Sequence, residues 1–116
     1  MGASPPAHPV ENLSDALRAL QGGASSAGPV HLLFSWASLR SAGIGYAMAV
    51  VAKARAAYPQ IACLCVLDAG EDAGLALSAL KAGADKVRFS GPPQLARKLA
   101  QIARQLNAGF EIPPGA

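Results

Sequence analysis

The chain has 116 residues, 52% of them apolar and 15% charged, with a formal charge of +3. That length fits one domain with a modest core of small aliphatic side chains, and positive charge this sparse, with no run of Lys or Arg, argues against nucleic acid or an anionic membrane surface as a partner. No segment offers the roughly 18 to 20 continuous apolar residues of a membrane span. The opening MGASPPAHPV places proline where a secretion signal has its apolar core, and Pro6 where a myristoylation motif wants Ser or Thr, so a cytoplasmic protein is expected.

Residues 1–11 read as a flexible Pro-rich lead, 12–110 as a single α/β domain and 111–116 as a loose tail. Asn12 and Asp15 have capping-box-like spacing, and Leu13, Leu17 and Leu20 recur at helical period, which predicts a helix over about 13–21. After the flexible GGASSAG, the β-rich run VHLLFSW predicts a strand over about 30–36. Ile44, Ala47, Met48, Val51 and Ala54 share one face of a helix over about 43–57, which Pro59 keeps from continuing. IACLCVL at 61–67 is apolar on both sides, the pattern of a central strand with helices above and below it in a parallel sheet.

An acidic turn, Asp68 to Asp72, precedes a helix over about 72–82 that ends at Gly83. In DKVRF, Val87 and Phe89 alternate with Lys86 and Arg88, predicting a strand over about 86–90 with one wet face, placed at an edge. Pro92 and Pro93 open a last helix over about 93–107 with Leu95, Leu99, Ile102 and Leu106 on one side. The expected architecture is a small three-layer sandwich of three parallel strands flanked by four helices, joined by right-handed crossovers. Three strands leave an edge unpaired, which makes a homodimer, edge to edge or face to face, a reasonable expectation.

Ligands in open parallel sheets bind outside the carboxyl ends of the strands, where helix N-termini present free N–H groups. The candidate ligand residues are therefore Ser35, Trp36 and Ser38 after the first strand, Asp68, Glu71 and Asp72 after the second, and Ser90 after the third. The three acids suit a divalent cation or general acid–base work, but acids in a first helical turn also cap the helix and complement its dipole. Cys63 and Cys65, one residue apart on one strand face, suit neither a disulfide nor a Cys-x-x-Cys site and read as buried, reduced thiols. His8 and His31 have no partner at metal-ligand spacing, and no serine has a histidine base beside it, so no metal, cofactor or catalytic residue is assigned.

SAGIGYA followed by a helix and then VLDAG resembles the first half of a short-chain dehydrogenase nucleotide site. The resemblance implies that Gly43 and Gly45 approach a pyrophosphate and that Asp68 holds ribose hydroxyls. It departs at Leu39, where those enzymes carry their first glycine, at Met48, and in lacking a Tyr-x-x-x-Lys pair.

From about residue 14 onward, the chain also resembles the later part of a response-regulator receiver domain, a flavodoxin-like fold. DALRALQ, VHLLFSW and GIGYAMAVVAKARAAYPQIACLCVLDA carry the likeness, and LSALKAGADKVRFSGPPQLARKL carries it most closely. The receiver's phosphoacceptor aspartate falls on Ser35, its hydroxyl residue on Asp68 and its lysine near Ser90, while the acidic pair that holds magnesium has no counterpart. Phosphorylation in the receiver manner is thus not expected. The face a receiver uses to meet partners falls on Lys86, Arg88, Leu95, Arg97 and Lys98.

The functional expectation is a noncatalytic, receiver-like protein-interaction module that forms a homodimer. The alternatives are a small-ligand domain, for a nucleotide or phosphate, at the strand ends near Gly43, Gly45 and Asp68, and a small enzyme using Asp68, Glu71 and Asp72.

Overall fold

The computed structural model describes residues 7–23 and 28–113. Within them the chain runs β1 (Ala7–Pro9), α1 (Leu13–Gly23), β2 (Val30–Phe34), α2 (Trp36–Ala42), α3 (Ile44–Ala57), β3 (Cys63–Asp68), α4 (Ala73–Ala82), β4 (Lys86–Arg88), α5 (Pro93–Gln105) and β5 (Gly109–Glu111). The sheet is α/β and parallel throughout, with β3 at its centre as expected.

Five strands replace the expected three, and five helices the expected four. The two extra strands come from segments read as loose. Ala7–Pro9 pairs with His31–Leu33, and Gly109–Glu111 pairs with Lys86–Arg88, so β4 is an interior strand and not an edge. Three residues bounded by proline or glycine carry too little periodicity to read as a strand; here tertiary pairing supplies what local propensity lacks. Pro9 is tolerated because β1 is an edge strand, where a missing N–H breaks no ladder. The extra helix is α2, whose WASLRSA was read as strand end and loop. Ser35 starts it by accepting the Ser38 N–H, and Gly43, at φ 93, ends it and leads into α3. Residues 24–27 of the GGASSAG linker lie outside the described residues, as do 1–6 and 114–116.

The strand order is β1-β2-β3-β4-β5. With right-handed crossovers, each step in the same direction puts its helix on the same side of the sheet. The helices accordingly form one row, α1 against α3, α3 against α4 and α4 against α5. This winding differs from the 2-1-3-4-5 order of doubly wound receiver-type sheets, and it is the winding of consecutive strands in a (β/α) barrel. The three-layer expectation is therefore corrected to two layers among the described residues.

Strand parity confirms the two layers. Val30, Leu32, Phe34, Cys63, Cys65, Leu67, Val87 and Phe89 point into a core shared with Ala16, Leu20, Val51, Ala54, Ala76, Leu80, Leu99 and Ala103 from the helices. His31, Leu33, Leu64, Val66, Lys86 and Arg88 belong to the opposite face and are absent from that core. Fully burying large side chains such as Phe34 and Phe89 contributes about 1.5–3 kcal/mol each.

Both cysteines are free and buried, and burial, with Asp85 adding to it, pushes the Cys65 thiol up to about 12. The amino ends of β3 and β4 are tied by Asp85. One of its oxygens accepts from the Cys65 N–H at 2.7 Å and from Arg55 Nη2 at 2.8 Å, while Arg55 Nη2 also donates to the Cys63 carbonyl at 3.0 Å. Burial is the largest single influence and lowers the Arg55 guanidinium, but the hydrogen bonds and charges of Asp85 and Cys63 together outweigh it and hold it above its ordinary value.

Candidate functional site

Three successive strand-to-helix loops meet at the carboxyl ends of β2, β3 and β4 and enclose an open cavity of about 570 Å³. Its lining is Trp36 and Arg40 from α2, Asp68 at the end of β3, Gly70, Glu71 and Asp72 from the loop that follows, and Ser90 after β4. Backbone chemistry fixes each wall. Asp68 accepts the Gly70 N–H at 2.9 Å, closing a tight turn, and Asp72 caps α4 by accepting the Leu75 N–H at 3.0 Å. Ser90 N donates to the Gly70 carbonyl at 2.8 Å and ties the β3 and β4 loops together.

Gly70 sits at φ 58, and a Cβ there would come within 3.0 Å of Trp36 Cδ1. Glycine is thus what lets the indole lie against the loop. Trp36 stays 41% exposed, and the Arg40 guanidinium lies 5.0 Å from its ring centroid, one helical turn along.

Of the predicted ligand residues, Trp36, Asp68, Glu71, Asp72 and Ser90 converge on this cavity. Ser35 and Ser38 do not. Ser35 Oγ accepts from Ser38 N at 3.1 Å and donates to Ser38 Oγ at 3.3 Å, and Ser38 lines a separate hollow with Glu11, Asn12 and Ser41. Gly43 and Gly45 lie at the α2–α3 break with open space around them, outside the cavity. Arg40 and Gly70 escaped the sequence reading. Arg40 stands four residues after Trp36, a spacing that carries meaning only once 36–42 is known to be helical.

The predicted interaction residues are split by the sheet. Lys86 and Arg88 project from the uncovered face, and both approach Glu111 Oε1, at 3.7 Å and 3.1 Å. Leu95, Arg97 and Lys98 are exposed on α5, in the helical layer, where Arg97 borders an apolar hollow of about 330 Å³ with Phe110 and Ile112. The uncovered face itself was missed as a surface. Its middle is formed by His31, Leu33, Leu64 and Val66, flanked by Lys86, Arg88 and Glu111. His31 is 7% exposed, its ring has no hydrogen-bond partner among the described residues, and burial followed by the charge of Lys86 lowers its pKa.

Among the described residues no group of three or more His, Cys, Asp or Glu side chains is disposed to hold a metal ion, so Asp68, Glu71 and Asp72 do not converge as a ligand set. No helix among them is long and apolar enough to cross a membrane. Compared with known proteins, the chain matches no family model and no curated protein.

Proposed function

We propose that the chain is a noncatalytic protein-interaction module that pairs with a second copy of itself through the uncovered face of its sheet. The observation that carries this reading is the face itself. Parallel sheets are ordinarily covered on both sides, yet here His31, Leu33, Leu64 and Val66 lie on a side that no described helix covers. A second copy offers the same surface and leaves both faces covered, the isologous arrangement of most small homodimers. Strands spaced about 4.8 Å apart make the face about 20 Å across. That size puts the interface near the lower end of the stable range, about 1,200 Å² in total, and favours a dimer that dissociates on dilution. Receiver-type phosphotransfer has no place in this reading, because Ser35 stands at the acceptor position and its hydroxyl caps α2.

Sedimentation equilibrium across a hundredfold concentration range tests the proposal. The expected result is a monomer–dimer equilibrium that Leu64→Lys shifts to monomer with an unchanged circular dichroism spectrum, whereas Lys98→Glu on α5 leaves it intact. A monomer at every concentration would end the reading.

A further inference from the structure

The cavity at the strand ends carries opposite charges that do not meet. Arg40 stands on one wall and Asp68, Glu71 and Asp72 on the other, and no ion pair among the described residues joins them. Cation and carboxylate lining one cavity without contact are matched by a ligand that carries both signs. We propose that this cavity binds a free α-amino acid, its carboxylate on Arg40, its ammonium at Asp68 and Glu71, and its side chain along Trp36.

Four features support this assignment. The Arg40 guanidinium lies over the Trp36 ring at 5.0 Å, which holds the planar fork in place against the indole and leaves its edge to pair with a carboxylate on two donors. Asp68 and Asp72 each use one oxygen on a backbone N–H, of Gly70 and Leu75 respectively, so Glu71 and the second oxygen of Asp68, beside it, remain for an ammonium group. At about 570 Å³ the cavity lies within the range of small-molecule pockets and exceeds the volume of an amino acid, and the exposed edge of Trp36 supplies an apolar wall. Finally, three carboxylates against one guanidinium repel a ligand that is only anionic. This last point favours a ligand of both signs over the nucleotide or phosphate that the sequence offered as an alternative near Gly43, Gly45 and Asp68.

The inference is independent of the dimer, since the cavity lies at the ends of the strands and the proposed interface on the face of the sheet. Trp36 is the only tryptophan of the chain, so its fluorescence reports on this cavity directly. The probes are the twenty standard amino acids, each with its N-acetyl and amide derivatives, and inorganic phosphate, all to 10 mM, against the full chain and against Leu64→Lys. At least one free amino acid is expected to saturate a change in Trp36 emission, with both of its derivatives at least tenfold weaker and phosphate without effect. Arg40→Gln and Glu71→Gln are each expected to weaken it tenfold or more with an unchanged circular dichroism spectrum, and Arg40→Lys to restore part of the loss. The proposal is overturned if no free amino acid binds by 10 mM. It is equally overturned if the derivatives bind as well as the parent, if phosphate binds more tightly, or if Arg40→Gln leaves affinity unchanged.

Discussion

The two sides of β3 differ more than its sequence does. Cys63, Cys65 and Leu67 point under the helices and are buried in the shared core, whereas Leu64, Val66 and Asp68 point to the side without a helix. Both sets are largely apolar, and Val66 is only 1% exposed even without a helix above it, because Leu33 and Lys86 stand beside it in register on the neighbouring strands. A strand apolar on both faces thus reports that both faces are shielded, without saying what shields them. The largest expected effect separates the two sides. Leu67→Ala removes a core side chain and is expected to cost about 2–5 kcal/mol in urea unfolding. Leu64→Ala, three residues away on the opposite side of the strand, is expected to cost about 1 kcal/mol or less in the monomer while weakening self-association. Equal losses would mean that the open side is packed as tightly as the core, and the contrast drawn here would fail.

The two ends of the strands invite the same comparison. At the amino ends, Asp85 accepts from Cys65 N and Arg55, a structural tie between β3, β4 and α3. Asp85→Ala leaves the Cys65 N–H without its partner and is expected to cost about 1–3 kcal/mol in denaturant unfolding, with ligand binding at the other end unchanged. At the carboxyl ends, Asp72→Ala removes the α4 cap and is expected to cost about 0.5–2 kcal/mol. Because Asp72 also lines the cavity, this variant should alter Trp36 emission, which Asp85→Ala should not. A change in Trp36 emission in Asp85→Ala would show that the ends are coupled through β3 and are not separate in role.

The long, strongly periodic elements were legible in the sequence. Helices read over 43–57, 72–82 and 93–107 appear as Ile44–Ala57, Ala73–Ala82 and Pro93–Gln105, and the central strand holds its place. The caps were legible too, since Asn12 Oδ1 accepts the Asp15 N–H at 2.9 Å as the spacing suggested. What escaped was either short or set by position in space. Three-residue strands such as Ala7–Pro9 and Gly109–Glu111 have no readable period, and α2 begins on Ser35-Trp36 directly after a strand rich in bulky residues. Layer count depended on strand order, to which local sequence is blind: IACLCVL would look the same in a doubly wound sheet. The site was half legible for the same reason. Residues adjacent to strand ends could be placed, whereas Arg40 and the pairing of Glu111 with Lys86 and Arg88 needed the register.

The smallest expected effect tests the uncovered face through His31, its one buried polar side chain among the described residues. Lys86 and Arg88 on β4, Glu111 on β5 and His8 on β1 all act on it electrostatically. Burial comes first and Lys86 second in lowering its pKa, Arg88 and His8 act in the same sense, and Glu111 opposes them. A lowered folded value means that the unfolded chain binds the proton more readily. Stability contributed by neutral His31 is therefore present above the ordinary histidine pKa of 6.5 and is lost as pH falls below it toward the folded value. Urea unfolding of the Leu64→Lys monomer and of a Leu64→Lys, His31→Gln double variant, compared from pH 7.5 to 5, should show the steeper loss in the chain that keeps His31. In the proposed dimer the same side chain would sit within the interface, so acidification over this window should also weaken self-association, and more so than His31→Gln does at pH 7.5. Identical pH slopes for the two monomers would mean that His31 meets water on this face as freely as it does in the unfolded chain.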